Sequence, residues 1–428
     1  MSIGMEPREV LSAEEINLSD PDFWGRPWEE REGAFRTLRR ERPVPFFPEF
    51  QVGAFPAGPG YWSLTRHADI LAASHQPDIF SSARGATSIP DLPEEFLQFF
   101  GGMINMDDPA HQRLRKLVSA GFTPRQLAKV DADVENASLE ILSAVAERGS
   151  CDFVTDLSAP FPIRIICDMM GIPESQRDFV FDRTNIILGA GDPEYVANPE
   201  EAVPAILGAG AELVELMRDL RKSRMADPKD DLTSILVNAE VDGDRLSEED
   251  LGSFFILLVV AGNETTRNSI SHGMKALTDY PDQRKAWQAD YEGLAKTAVE
   301  EIVRWASPVI FMRRTLTQDY EMRGVTLKEG DKVVLWYNSG DRDEDVFEDP
   351  YRFDLKRTPN EHCGFGGPGP HFCLGANLAR REIQVFFRHV FEHLPDLEIT
   401  GEPERLRSSF IHGIKHMDCS FTPTRIAR

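Results

Sequence analysis

The stretch GFGGPGPHFCLGANLARRE, residues 364–382, places four glycines and two prolines ahead of a single cysteine, Cys373, and then runs straight into a helical pattern. Glycine backbone is costly to order, so its density here needs a local reason. Glycines would let main-chain N–H groups fold around a sulfur, and prolines would stiffen the turn. The amphipathic pattern from residue 374 onward puts the thiol at a helix N-terminus, where the dipole and free N–H groups favour a thiolate. A thiolate wrapped in amides is a metal ligand whose electron donation is moderated by its hydrogen bonds. The loop reads as a cradle for one sulfur; the competing reading is a glycine-rich turn around a structural cysteine.

Composition narrows the setting. The chain has 71 acidic and 47 basic residues among 428, a net charge of −24. Such a surface repels nucleic acid and anionic lipid headgroups. The longest apolar run, Phe254 to Ala261, is far too short to span a bilayer, and the acidic start of the chain has no apolar core of a signal peptide. The five cysteines (Cys151, Cys167, Cys363, Cys373, Cys419) are scattered and odd in number, with neither a CxxC pair nor an HExxH. That usage points to a reducing cytoplasm.

Helical periodicity dominates, with a smaller β region. The expected helices are 28–40, 109–120, 124–146, 155–170, 200–226, 247–278, 294–305 and 374–393, and strand-like stretches are 51–64, 309–337 and 406–422. Residues 1–25 read as a loosely held arm before a single domain, 26–428. The segment 247–278 opens on a Ser cap with acids in its first turn and is apolar all round in its middle, so it should cross the protein's centre. The irregular, Gly/Pro-rich stretches 76–107 and 188–199 carry apolar residues, as lids or binding loops do.

Three distant segments agree with a cofactor at Cys373. EEIVRW sets Glu301 and Arg304 three apart on a helix face, and Arg357 downstream could complete a buried cluster. In VVAGNETTRN an acid, Glu264, and an alcohol, Thr265, interrupt an apolar wall, while Gly262 is expected to open a groove beside Ala261. DDPAHQRLRK puts His111 and Arg115 four apart on one face, which suits an anionic cofactor.

The cysteine loop, EExxR, AGxET and HxRLR patterns, at these positions, resemble the cytochrome P450 family of haem-thiolate monooxygenases. The resemblance implies the P450 fold, a mostly α triangular prism with haem b between the long central helix and the cysteine helix. It implies Cys373 as the axial iron ligand. It makes His111, Arg115, Arg314 and His371 partners of the haem propionates, and Glu301, Arg304 and Arg357 a structural cluster. It makes Glu264 and Thr265 the pair that activates O2 as co-substrate. It departs at one point: the family's aromatic stands seven residues before the cysteine, where this chain has Gly366, with Phe365 one residue earlier.

With no flavin or iron–sulfur motif, electrons must come from outside. The resemblance implies a ferredoxin and its reductase, and Arg113, Lys116, Arg380, Arg381 and Arg388 are expected to form a basic docking patch, unless they pair with neighbouring acids. The apolar stripe Phe254, Leu257, Leu258 and Ala261 favours a lipid, terpenoid or steroid substrate. Segments such as IICDMMGIP, EEIVRWASPV and FIHGIK are similar to a mycobacterial-type subgroup whose nearest branch hydroxylates the terminal (omega) methyl of methyl-branched lipids. That likeness adds Val309 and Phe410 to the expected pocket. The alternatives are a steroid side-chain or small-terpenoid hydroxylase, a peroxide-driven oxygenase, or a non-catalytic haem-based lipid or gas sensor. The chain is expected to act as a cytoplasmic monomer.

Overall fold

The computed structural model describes residues 5–49, 57–91, 96, 100, 102–241 and 243–426. Its axis is the 32-residue helix Glu248–Asp279, called here the central helix. Ser247 and Asp250 close its N-terminus reciprocally: the Asp250 N–H donates to Ser247 Oγ at 2.9 Å and the Ser247 N–H to Asp250 Oδ2 at 3.2 Å. An apolar helix of this length is stable only when wrapped. Helices Pro160–Met170, Ala202–Ala226, Tyr291–Ala306 and Ala376–His393 all pack on it. At Gly273 two helices approach at once: a Cβ would stand 3.0 Å from Ile302 Cγ2 and 3.1 Å from Phe387 Cζ.

To one side lies a five-stranded sheet in the order Phe46–Phe47, Tyr61–Leu64, Lys332–Trp336, Phe311–Leu316, Phe80–Ser81. Lys332–Trp336 pairs parallel with Tyr61–Leu64 and antiparallel with Phe311–Leu316, with Val333 opposite Arg314 and Val334 opposite Arg313. The two-residue period of a strand sends these neighbouring arginines to opposite faces, which matters at the site.

The expected helices form with ends shifted by a few residues. The segment expected as 155–170 is a π turn, Val154–Ser158, followed by Pro160–Met170, since Pro160 can only begin a new helix. Helices His67–Ser74, Arg177–Gly189, Leu232–Asn238 and Pro281–Ala289 were not expected. The strand-like stretch 51–64 forms a strand at Tyr61–Leu64, while 51–56 lies outside the described residues.

The arm needs correcting. From Ala13 on, residues 1–25 are not loosely held: Ala13, Ile16, Leu18, Phe23 and Trp24 are buried. Trp24 stacks on Trp336 of the sheet at 5.4 Å and donates its indole N–H to Leu18 O at 2.9 Å. The acidic residues between these apolar ones mask the pattern in sequence, yet each apolar side chain finds the core.

Candidate active site

The glycines of the cysteine loop work differently from the expected wrap. A Cβ at Gly369 would meet Ser74 O at 2.4 Å, one at Gly367 would meet Ser74 Oγ at 2.4 Å, and one at Gly364 would meet Val303 Cγ1 at 2.6 Å. They let the loop lie flush against the helices His67–Ser74 and Tyr291–Ala306. The amides that act on the thiol belong instead to Gly375 and Ala376, at the start of the helix Ala376–His393. Burial pushes the Cys373 thiol up from its ordinary value, while those two N–H groups, Arg115 and Arg380 pull it down. Position at a helix start thus moderates the thiol's rise without reversing it. Cys373 is the most accessible of the five cysteines because it opens into a cavity within the protein.

The extra residue between Phe365 and Cys373 is taken up by Gly366, in the left-handed region at φ 81°. The Cys373 N–H then donates to Phe365 O at 3.0 Å, and the Phe365 ring lines the cavity with the Arg380 guanidinium 4.4 Å from its centroid.

The cavity holds about 230 Å³. One face of the central helix lines it with Phe254, Leu257, Leu258, Ala261, Gly262 and Thr265, the spacing of residues on one side of a helix. Val309 joins them, with Met103, Ile166, Met169 and Met312 from other segments. Gly262 opens less of a groove than expected, because Ile166 occupies the room: its Cδ1 would be 2.4 Å from a Cβ there. Phe410 does not line this cavity. It lines an adjoining one of about 520 Å³, edge-on to Phe311 at 5.3 Å, and the two cavities share Ile104 and Leu257. Both irregular stretches contribute to the outer cavity, through Thr87 to Asp91 and through Leu188, Ala190 and Gly191.

His111, Arg115, Arg314 and His371 converge on the first cavity. The two imidazoles lie 4.3 Å apart. Arg115 donates to Phe372 O at 2.7 Å and the buried Arg314 to Arg313 O at 2.7 Å. Burial, then Arg314, His111 and Arg115, push His371 down to about 3, and burial lowers His111 as well. His111 Nε2 is buried without a partner among the described residues. The Arg115 and Arg314 guanidiniums at one wall of the cavity fit a group carrying carboxylates. A haem, with its propionates here and its iron at the sole cavity-facing thiol, matches this donor set.

Thr265 and Glu264 are parted by the helix. Thr265 faces the cavity and donates its hydroxyl to Ala261 O at 2.6 Å. Glu264 is turned into the protein and ion-paired to Arg267 at 2.7 Å. Burial raises the Glu264 carboxyl above its ordinary value, against the pull of Arg267.

Glu301, fully buried, accepts from Arg304 Nε and Nη2 at 2.8 Å each, from Arg357 Nε at 3.2 Å and from the Asp354 N–H at 2.9 Å. Arg304 continues to the carbonyls of Asp341 and Pro350 at 2.8 and 2.9 Å. Breaking such a buried pair by removing one partner costs about 3–5 kcal/mol. The cluster ties the helix Tyr291–Ala306 to the chain that leads into the cysteine loop.

The expected basic patch is largely neutralised. Arg380 pairs with Glu300 at 2.6 Å, Arg381 with Asp131 at 2.8 Å and Glu135 at 3.1 Å, and Arg388 with Glu135. Sequence reasoning also passed over Glu382, within the quoted stretch itself. It lines the cavity, is buried, and is raised well above an ordinary carboxyl by that burial. A charged residue on the apolar side of a helical pattern was the available signal.

Known proteins share this arrangement. The profile described as Cytochrome P450 matches residues 208–398. Methyl-branched lipid omega-hydroxylases of Mycobacterium bovis and Mycobacterium tuberculosis are 51% identical over 98% of this chain and 97% of theirs. A steroid C26-monooxygenase of Rhodococcus jostii is 40% identical over 95% of this chain and 85% of its own. A Mycobacterium marinum cytochrome P450 solved in complex with pseudoionone superposes at a TM-score of 0.91 and 42% identity, covering 97% of this chain and 100% of that one. The chain belongs to the cytochrome P450 family. It has that family's mostly α fold and is a monooxygenase, an oxidoreductase. Among the described residues no helix is long and apolar enough to cross a membrane.

Proposed function

We propose that this chain hydroxylates an apolar lipid at the terminal (omega) methyl of a methyl-branched or isoprenoid chain, using O2 and two electrons from a ferredoxin and its reductase. The observation that carries this reading is a pair of apolar cavities in series, the inner one reaching Cys373 and Thr265. Attack on a terminal methyl needs a passage that presents only the chain end, and Ile104 and Leu257 line both cavities where they adjoin. The relatives named methyl-branched lipid omega-hydroxylase support the same substrate class.

In this reading Cys373 would hold the iron of haem b, and His111, Arg115, Arg314 and His371 would hold its carboxylates. Haem bound there supplies oxygen activation and C–H oxidation. The protein's share is placement and proton supply. Phe254, Leu257, Leu258 and Val309 exclude water and hold the chain end. Thr265 offers its hydroxyl oxygen to the cavity and can pass on its proton only by releasing Ala261 O. Glu264 holds a proton more readily than an exposed carboxyl and would deliver it by turning from Arg267. Steroid side-chain hydroxylation is the second reading, favoured by the outer cavity's volume of about 520 Å³ and by the relatives named steroid C26-monooxygenase. Electron delivery in the cytoplasm to a monomeric enzyme completes the proposal.

Titration of the ferric haem protein with a methyl-branched fatty acid or an isoprenoid should move the Soret band from low to high spin, with product oxidised at the terminal methyl. A protein that binds haem normally but shows no shift with either lipid would remove the branched-lipid assignment.

A further inference from the structure

Two cysteines remote from the cavities stand side by side. Cys151 lies in the edge strand Ser150–Asp152 and Cys419 in the middle strand Asp418–Ser420 of a three-stranded antiparallel sheet completed by Glu398–Ile399. They are register partners, 268 residues apart along the chain, and their Sγ atoms are 3.4 Å apart. The Cys419 thiol also donates to Cys151 O at 3.3 Å. Main-chain bonds fix the register on both sides: the Phe153 N–H donates to Met417 O at 2.8 Å and the Phe421 N–H to Gly149 O at 2.9 Å. Ladder pairs alternate, so Cys151 and Cys419, two residues from each, are a pair of the same hydrogen-bonded kind, whose Cα atoms stand about 5.5 Å apart. A disulfide accepts about 4.4–6.8 Å, and the sulfurs need to close by about 1.4 Å, the scale of a small side-chain rotation. The two thiols differ in access. Cys151 is half-buried, whereas Cys419 is buried in the core, where its hydrogen bond to Cys151 and its burial push the thiol up.

We propose that Cys151 and Cys419 are a redox-modification site, closing to a disulfide when a small disulfide from solution reaches Cys151. The Cys151 sulfur attacks one sulfur of that molecule, whose S–S bond breaks. One half leaves as a thiol, carrying the proton that Cys151 gives up, and a mixed disulfide remains on Cys151. The Cys419 sulfur, already in contact, then attacks the Cys151 sulfur and displaces the second half as a thiol, which takes the Cys419 proton. Two protein thiols are oxidised by one electron each, and one disulfide is reduced to two thiols. The order follows access: the half-buried thiol takes the reagent and the buried one resolves it. In a reducing compartment both stay thiols. The bond ties the C-terminal strand to the segment that leads through Val154–Ser158 into the helix Pro160–Met170, which carries Ile166 and Met169 of the inner cavity.

The test incubates the haem-loaded full chain with bis(2-hydroxyethyl) disulfide, a small neutral reagent that the acidic surface does not repel. The reagent is removed, remaining thiols are alkylated, and peptides are mapped by mass spectrometry without reduction. A peptide carrying Cys151 should be found joined to one carrying Cys419, and dithiothreitol should separate them. The linked protein should melt at least about 3 °C higher, since the bond closes a loop of 268 residues in the unfolded chain. In Cys419→Ser, Cys151 should keep the reagent as a mixed disulfide. A wild-type chain in which Cys151 keeps the mixed disulfide unresolved, or in which both cysteines are recovered alkylated, would overturn the proposal. So would a link that lowers the melting temperature, because the folded sheet would then oppose the bond. If Cys419→Ser fails to fold, the wild-type peptide map decides alone.

Discussion

Thr265 and Glu264 are adjacent in sequence but face different surroundings: one the cavity, the other a buried ion pair with Arg267. Thr265→Ala removes the hydroxyl that Thr265 presents to the cavity and leaves Glu264 in place, so electrons should still be consumed. Product formed per electron should fall, with a lost proton-transfer group setting an upper scale of about 100-fold or more, and Thr265→Ser should recover most of it. The ratio of product to reduced nicotinamide consumed measures this; an unchanged ratio in the Ala variant would remove Thr265 from proton supply. At this scale the sequence was legible where one helix face carries the site, as at Phe254, Leu257, Leu258 and Ala261. It was not legible at Met103, Ile166, Met169 and Met312, which come from three separate segments and meet only in the fold. Phe410 shows the same limit: a site residue by resemblance, it lies one cavity further out.

The elements around the site are held by close helix contact, and at Gly273 two helices meet the central one together. Its missing side chain admits Ile302 and Phe387 from two different helices at once, within 3.0–3.2 Å of where a Cβ would sit. Gly273→Ala would gain about 1 kcal/mol of helix propensity but lose about 1–3 kcal/mol to overpacking. The balance should lower the melting temperature by about 2–4 °C, the shift expected for about 1 kcal/mol in a large domain. Scanning calorimetry of the haem-loaded variant reads it, and a rise in melting temperature would show that Ile302 and Phe387 yield freely. The long amphipathic helices were legible because their stripes are sustained. Arg177–Gly189 and Pro281–Ala289 were missed because each buries only one large apolar side chain, Val180 in the first and Trp287 in the second, so no sustained stripe marks them.

Across the whole molecule, one junction joins both ends of the chain to the centre. His272 of the central helix and His412 near the C-terminus stack at 4.2 Å, with Trp28 5.7 and 5.0 Å away. His412 Nδ1 bonds Ala306 O at 2.7 Å and His272 Nε2 bonds His412 O at 3.0 Å. Burial, with Arg405, Arg342 and Arg31 nearby, holds both imidazoles well below the ordinary 6.5. The unfolded chain therefore takes up protons below pH 6.5 that the folded chain refuses. Stability should fall as pH drops through that window, by about 1.4 kcal/mol per pH unit for each imidazole. Urea midpoints at a series of pH values below 6.5 test this, and His412→Gln should flatten the slope by one proton's worth. A flat profile would mean that the pair is charged in the native state. Glu300, held down to about 2 by His362 and Arg380 against its burial, contributes stability that is present above its ordinary 4.5 and is lost only as pH falls toward about 2.

The packed arm has a consequence at this same scale. Leu18, Ser19, Pro21 and Trp24 are walls of the outer cavity, and Leu18 and Trp24 are parts of the core as well. The amino end of the chain is thus an instrument of selectivity: shortening or re-engineering it would redraw the range of molecules admitted while leaving the sulfur and its surroundings as they are.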